Sequence, residues 1–344
     1  MWGSAGRAFG PAEPLNVLGV NLLQIGDRKA RTAALSVASN SLLVALKVLV
    51  GLLIGSVAVL SEAAHSAMDL IAALIAFFAV RASGRAADKE HPYGHGKFEN
   101  ISGVVEALLI FVAAAWIIYE AVRRLIEPRA LDMPLWGVGV MLVSAVVNVL
   151  ISKRLFRVGK ETDSVALRAD ALHLRADVYT SVGVMGALLV VWIVGVVAPS
   201  ANVHWLDPAV AIAVALLIIK AAFALTREAA RDLVDSSLPE EDIGWIADFV
   251  RQNWPAVRSF HHLQTRKAGP DRFIDFHVVV DEKMSVAESH ALADEIVLSI
   301  KKRMPGSRVH IHVEPCDQSC KPSCIEGCIE QENALSNNEV PPAV

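Results

Sequence analysis

Six apolar runs alternate with short polar segments through the first two thirds of the chain, at Thr32–Leu60, Ser61–Val80, Asn100–Ile126, Met133–Leu155, Ala166–Val197 and Leu206–Leu225. Each reaches the roughly 20 residues that a helix needs to cross a bilayer, and each carries few charges, so six membrane helices are expected. Past Arg227 the pattern turns soluble. Pro239–Trp254 has the spacing of an amphipathic helix. Phe260–Arg266 and Phe273–Val280 alternate as strands do, with a turn at Lys267-Ala268-Gly269-Pro270 between them. Val286–Met304 is helical in pattern, Pro305-Gly306 interrupts it, and Val309–Val313 reads as a third strand. The order helix–strand–strand–helix–strand predicts a small α+β domain with its helices on one face of a short sheet. The expected fold is therefore a membrane all-α six-helix bundle followed by a cytoplasmic α+β domain. The boundaries fall at an N-terminal cytoplasmic segment 1–31, a transmembrane domain 32–230, a cytoplasmic domain 231–315, and a polar tail 316–344 that ends in Pro-Pro-Ala-Val.

Composition supports a membrane protein: 54% of residues are hydrophobic, above the roughly 45–50% of soluble domains. The formal net charge of −4 argues against a nucleic-acid partner, which calls for a basic surface. Residues 1–31 contain no basic-then-apolar block with a cleavage site, so no signal peptide is read there. Lys and Arg concentrate before the first run (Arg28, Lys29, Arg31), between the second and third (Arg81, Arg85, Lys89, Lys97), and between the fourth and fifth (Lys153, Arg154, Arg157, Lys160, Arg168). With six spans, these segments share one side, and the positive-inside rule places both termini in the cytoplasm. Arg123, Arg124 and Arg129 run against that pattern.

Two of the apolar runs carry the same polar stripe. Glu62-Ala-Ala-His65-Ser-Ala-Met-Asp69 lies in the second and Asp170-Ala-Leu-His173-Leu-Arg-Ala-Asp177 in the fifth. Residues three and four apart share a helix face, so each helix presents an acid, an imidazole and a carboxylate in line. Such groups are costly in lipid unless they face a partner or a water-filled path. One reading is a set of polar contacts that holds the bundle together. The other is a metal site: His65, Asp69, His173 and Asp177 offer two nitrogens and two oxygens, a tetrahedral set of the kind Zn²⁺ takes. Mn²⁺ prefers more oxygen ligands, while Cd²⁺ and Co²⁺ stay open alternatives. Glu62 and Asp170 read either as residues on an access path or as helix-end carboxylates in water.

At these residues the chain resembles the cation diffusion facilitator (CDF) family. The resemblance runs from about Thr32 to Cys316 and rests on Leu46-Lys47-Val-Leu-Val-Gly51, on Gly55-Ser56-Val-Ala-Val-Leu-Ser-Glu62 continuing to His65 and Asp69, on His91-Pro92-Tyr93-Gly94-His95-Gly96-Lys97-Phe98-Glu99, and on Asp207-Pro208. It implies a ferredoxin- or metallochaperone-like cytoplasmic domain and a homodimer in the cell (inner) membrane. It also implies export of a divalent metal in exchange for protons. The four-residue quartet falls on the family's transport-site positions. Some bacterial relatives have Asp where this chain has His65; the His form is similar to zinc-selective members. Zn²⁺ is therefore the expected cargo and also a regulatory ligand.

Three further groups carry metal-ligand chemistry. Asp88, His91 and His95 have spacings of three and four, and the resemblance implies a second metal there; a solvated loop is the alternative. Six of the chain's 11 histidines fall between His261 and His312. His310 and His312, two apart, share one strand face. The resemblance implies a two-metal site from His261, His277, His290, His312 and Glu314 at the dimer interface. Glu314 stands where Asp is usual, and Val313 where a polar ligand occurs. The four cysteines, Cys316, Cys320, Cys324 and Cys328, recur every four residues in the tail, interrupted by Pro322. They are read either as thiols that collect Zn²⁺ or Cu⁺ or as a tail without metal. Lys97 and Asp235 resemble the family's inter-domain charge pair. The expected activity is Zn²⁺/H⁺ antiport by alternating access, with no enzymatic step. Its rivals are a cytoplasmic-domain metal sensor and a membrane metallohydrolase.

Overall fold

The computed structural model describes residues 22–54, 57–127, 135–197 and 205–316. The N-terminal residues 1–21, the turn at Gly55, Arg129, the loop from Pro199, and Cys320, Cys324 and Cys328 lie outside the described residues.

Six long helices come first: α1 (Leu22–Ile54), α2 (Val57–Ser83), α3 (Lys97–Ile126), α4 (Leu135–Glu161), α5 (Val165–Val197) and α6 (Leu206–Leu233). Four stretches among the described residues are long and apolar enough to span a membrane: Asp27–Leu53, Ala63–Ser83, Lys97–Ile126 and Pro208–Leu233. Their packing is that of helices in lipid. Large apolar side chains such as Leu52, Leu53, Phe78, Trp116 and Leu217 face outward, while Ala72, Ala76, Ala107, Ala114, Ala215 and Ala222 are buried between helices. Small residues at the interfaces let backbones approach closely. At Gly103 on α3 a Cβ would come within 2.8 Å of the Val165 side chain on α5. The closest-packed neighbours are α3 with α6 and α4 with α5; α2 also packs against α5, and that pair carries the two polar stripes.

Several boundaries differ from the hydropathy reading: α1 ends at Ile54, and α4 and α6 run on to Glu161 and Leu233. Helix α1 starts ten residues before Thr32, and α2 starts at Val57 rather than Ser61. The helical turn before Thr32 carries charges, but Lys29 on it is buried against Glu99, Nζ to Oε1 2.8 Å. A satisfied charge lets the helix continue where hydropathy alone ends it.

The C-terminal part comprises α7 (Glu240–Asn253), β1 (Ser259–Ala268), β2 (Asp271–Asp281), α8 (Val286–Arg303) and β3 (Ser307–Cys316), with β2 at the centre of a sheet ordered β1-β2-β3. Helix α8 begins in a capping box: the Ser285 hydroxyl accepts from the Glu288 backbone N–H, and the Glu288 carboxylate accepts from the Ser285 N–H. Gly269, with φ +60°, closes the β1–β2 hairpin, a left-handed conformation that favours glycine.

The chain divides into two compact units. One contains Ile246–Leu263 and the stretch from Asp275 onward; the other contains Arg28–Trp245 together with the hairpin tip Gln264–Ile274. Within the second unit the tip is tightly held. The Gly269 N–H donates to Asn100 Oδ1 at 2.7 Å, and Lys267 and Arg272 both reach Asp163 at 2.9 Å. A Cβ at Gly96 would collide with the Ala268 carbonyl, and one at Gly269 with the Gly96 carbonyl.

Candidate metal centres

Helices α2 and α5 bring the two stripes face to face. His65 Nε2 lies 3.7 Å from Asp177 Oδ1, and His173 Nε2 lies 3.2 Å from Asp69 Oδ1. Each histidine meets the aspartate of the other helix, the reciprocal register of an antiparallel pair. His65, Asp69 and Asp177 each offer a ligand atom within 4.8 Å of the others, and His173 joins them through Asp69. Zn²⁺ bonds of about 2.0–2.2 Å in a tetrahedron separate ligand atoms by about 3.3–3.6 Å, so the observed spacings need little change to hold an ion. Asp177 Oδ2 and His173 Nδ1 are buried with no hydrogen-bond partner among the described residues. Buried polar atoms are ordinarily satisfied, and these two mark a site with spare donor capacity. His65 is the open member, with its side chain 53% exposed, against 9% for His173. Lys47 steadies α2 from α1, donating to the Ser66 hydroxyl at 2.7 Å beside His65. Asp170 is fully buried but does not join the cluster, and the side chain of Glu62 lies outside the described residues.

The connection between α2 and α3 forms a second group. Asp88 Oδ2 lies 3.2 Å from His95 Nε2, Asp88 Oδ1 lies 3.5 Å from His91 Nδ1, and the two rings sit 4.5 Å apart. The backbone N–H groups of His91 and Glu90 donate to Asp88 Oδ1 at 2.7 and 3.0 Å. That turn, through the His91 hydrogen bond first, holds the Asp88 carboxyl below its ordinary value. Asp88 therefore remains an anion ready for a cation.

The third group lies on the sheet. His277 Nδ1 is 3.0 Å from Glu314 Oε1, His261 Nε2 is 3.4 Å from Glu314 Oε2, and His312 Nε2 is 3.7 Å from Glu314 Oε1. Burial pushes the His261 imidazole below its ordinary value, which keeps it neutral and able to bind metal. His290 stands apart, exposed on α8 and 3.5 Å from Asp294 of its own helix; His310 faces Asp275 at 3.9 Å.

Sequence reasoning counted His262 in the histidine cluster without a ligand role and missed other residues. His262, in the left-handed region at φ +54°, places its ring 5.4 Å from His261 and 5.0 Å from His277. Glu99 anchors a buried polar knot in which Lys29, Ser83 (2.6 Å) and Ser164 all converge on one carboxylate. Glu106, two helical turns beyond Glu99 on the same face, is fully buried as well; the seven-residue spacing of two acids in an apolar helix was the available signal. Lys97 does meet Asp235, Nζ to Oδ1 3.0 Å, and Arg266 shares that carboxylate at 3.3 Å.

Comparison with known proteins agrees with this architecture. Residues 33–234 match the cation efflux transmembrane domain, and residues 238–316 match the cytoplasmic domain of cation efflux proteins. An uncharacterized transporter of Synechocystis, sll1263, is 39% identical over 286 residues, which cover 83% of this chain and 90% of that protein. The cation-efflux pump FieF of Salmonella agona is 31% identical over 291 residues, covering 85% and 94%. A solved structure of CzrB in its Zn form is 38% identical, spans 25% of this chain and 98% of that one, and has a TM-score of 0.23. The family matches and the helical bundle together define an integral-membrane cation transporter rather than an enzyme. The chain belongs to the cation diffusion facilitator, or cation efflux, family.

Proposed function

We propose that this transporter exports Zn²⁺ in exchange for protons, using His65, Asp69, His173 and Asp177 as the transport site. The observation that carries the reading is the reciprocal His–Asp pairing of α2 and α5, whose paired atoms lie near tetrahedral spacing, with the other Asp177 oxygen and the other His173 nitrogen buried and unpartnered among the described residues. Two imidazoles among four ligands favour Zn²⁺ over Mn²⁺ and Fe²⁺, and His65 makes the second imidazole. Ligands must lose their protons to take the metal, so loading expels protons and reprotonation from the far side releases the ion. Alternating access supplies the two openings by a rocking of the bundle. The positive-inside distribution of Lys and Arg supports cytoplasmic termini, so metal enters from the face that carries Asp88, His91 and His95.

The chain works as a homodimer in this reading. Zn²⁺ on His261, His277, His312 and Glu314 serves as a regulatory ligand, and the exposed His290 reaches the corresponding site of a second copy. In proteoliposomes, Zn²⁺ uptake and the coupled pH change are expected in the native chain and lost in Asp69→Ala and Asp177→Ala. Intact Zn²⁺ flux in either variant would show that the ion does not pass through this quartet.

A further inference from the structure

The sheet group includes one histidine with no part in the proposed regulatory site. His262 follows His261 directly on β1. Its ring lies 5.4 Å from that of His261 and 5.0 Å from that of His277. The rings of His261 and His277 are themselves 5.3 Å apart. Three imidazoles from two neighbouring strands thus form a nearly equilateral triangle. Two imidazoles on one tetrahedral Zn²⁺, with Zn–N bonds of about 2.0–2.1 Å, have ring centroids about 5.2 Å apart. Rings in simple contact also fall near that spacing, so the backbone decides between the two.

Successive side chains of a strand point to opposite faces. His261 and His262 nevertheless both approach His277, and the cause is the φ of +54° at His262. A residue with a Cβ adopts that left-handed conformation at a cost, and such strain gathers at functional sites. Among the described residues, the other non-glycine residues with positive φ are Asp163 and Asp235. Both lie in connections between elements, whereas His262 lies inside a strand. That strand is at the edge of the sheet, where a local irregularity re-aims a side chain as a β-bulge does.

Three donors converge beside this ring: His261, His277 and Glu314 each offer a ligand atom within 4.8 Å of the others. A closed Zn²⁺ site takes four. The nitrogens of His262 lie outside that group of three, but its side chain is exposed. Rotation about χ2, a soft torsion, brings a nitrogen toward the fourth position. His312 is the other neighbour, with its ring 4.7 Å from that of His277. It approaches Glu314 Oε1, whereas His261 approaches Oε2.

We infer, given the Zn²⁺ role proposed for the sheet group, that His262 is a metal ligand which completes, with His261, His277 and Glu314, a four-coordinate site within a single protomer. Three imidazoles and a carboxylate oxygen suit Zn²⁺ and bind Cu²⁺ more tightly still. The site needs no ligand from a second copy. His312, at the other oxygen of Glu314, remains for a second ion.

The test uses the full chain in detergent, with the other two metal groups disabled by Asp69→Ala, Asp177→Ala and Asp88→Ala, and Zn²⁺ as the probe. Competition with a chromophoric chelator gives the affinity. X-ray absorption at the zinc edge, with Zn²⁺ below one equivalent, counts the imidazoles. One tight ion with three imidazoles is expected. His262→Gly suits the left-handed backbone, so the melting temperature of the metal-free chain should hold or rise. Its Zn²⁺ affinity should nevertheless fall by at least about tenfold, the scale on which even outer-shell partners act, and its imidazole count should fall to two. His262→Asn, which also tolerates that backbone, should behave alike, while His312→Ala should keep the count at three. Unchanged affinity and count in both His262 variants, or a count that falls in His312→Ala instead, overturns the role of His262 and leaves the sheet group a Zn²⁺ site. No tight ion in the parent chain with His262 intact overturns the Zn²⁺ role of the sheet group, and the role of His262 with it.

Discussion

His65 is the member of the proposed transport quartet that stands half open, across from Asp177. Replacing it by a carboxylate changes the set from two nitrogens and two oxygens to one and three. His65→Asp is therefore expected to lower the preference for Zn²⁺ over Mn²⁺ and Fe²⁺, read as competing initial uptake rates in proteoliposomes. Asp235 illustrates a different kind of residue. The Lys97 ammonium, bonded to it at 3.0 Å, is the first cause that holds its carboxyl below the ordinary value. A depressed carboxylate stabilises the fold fully above the unfolded value of about 3.9 and loses that contribution as pH falls through the lowered one. The pair is half exposed, so Asp235→Asn should cost no more than about 1 kcal/mol near neutrality, measured by chemical unfolding, and the difference from the native chain should vanish in strong acid. The importance of this pair is positional. It ties the start of α3 to the segment that follows α6.

At the scale of elements, the Lys29–Glu99 knot joins α1, α2, α3 and the segment that opens α5 through one carboxylate. Removing one charge from such a buried pair leaves the other uncompensated, at a cost of about 3–5 kcal/mol. Lys29→Met should destabilise the bundle by that amount in a detergent-unfolding titration, and Glu99→Leu added to it should restore part of the loss. The knot also shows where sequence reading stops. The helices α7 and α8 and the strands were legible from short-range periodicity, and α8 even announces itself with Ser285 and Glu288. The stripes on α2 and α5 were legible because they repeat one spacing. The early start of α1 was not, since Lys29 reads as a loop charge until Glu99, seventy residues away, is placed beside it. The same holds for Glu106, a polar position in an apolar run until α3 is packed among its neighbours. His262, counted in the histidine cluster but not among the ligands the resemblance implies, has a left-handed backbone and a ring 5.0 Å from that of His277.

On the scale of the whole molecule, metal and folding are linked. A ligand present at a hundred times its Kd stabilises the form that binds it by about 2.7 kcal/mol. Zn²⁺ should accordingly raise the melting temperature of the full chain, and His277→Ala, which removes the imidazole bonded to Glu314, should reduce that shift while leaving Zn²⁺ flux measurable. The reciprocal pairing of His65 with Asp177 and His173 with Asp69 has a further consequence on this scale. An empty site with both imidazoles protonated holds two positive and two negative charges; a loaded one holds a Zn²⁺ ion, two carboxylates and two neutral rings. Both forms are neutral, so in the proposed exchange neither the outward nor the return movement carries net charge across the membrane. Exchange by this quartet should then be indifferent to an imposed voltage. A potassium diffusion potential set with valinomycin, of either sign, should leave the rate of Zn²⁺/H⁺ exchange unchanged, while a pH gradient drives it.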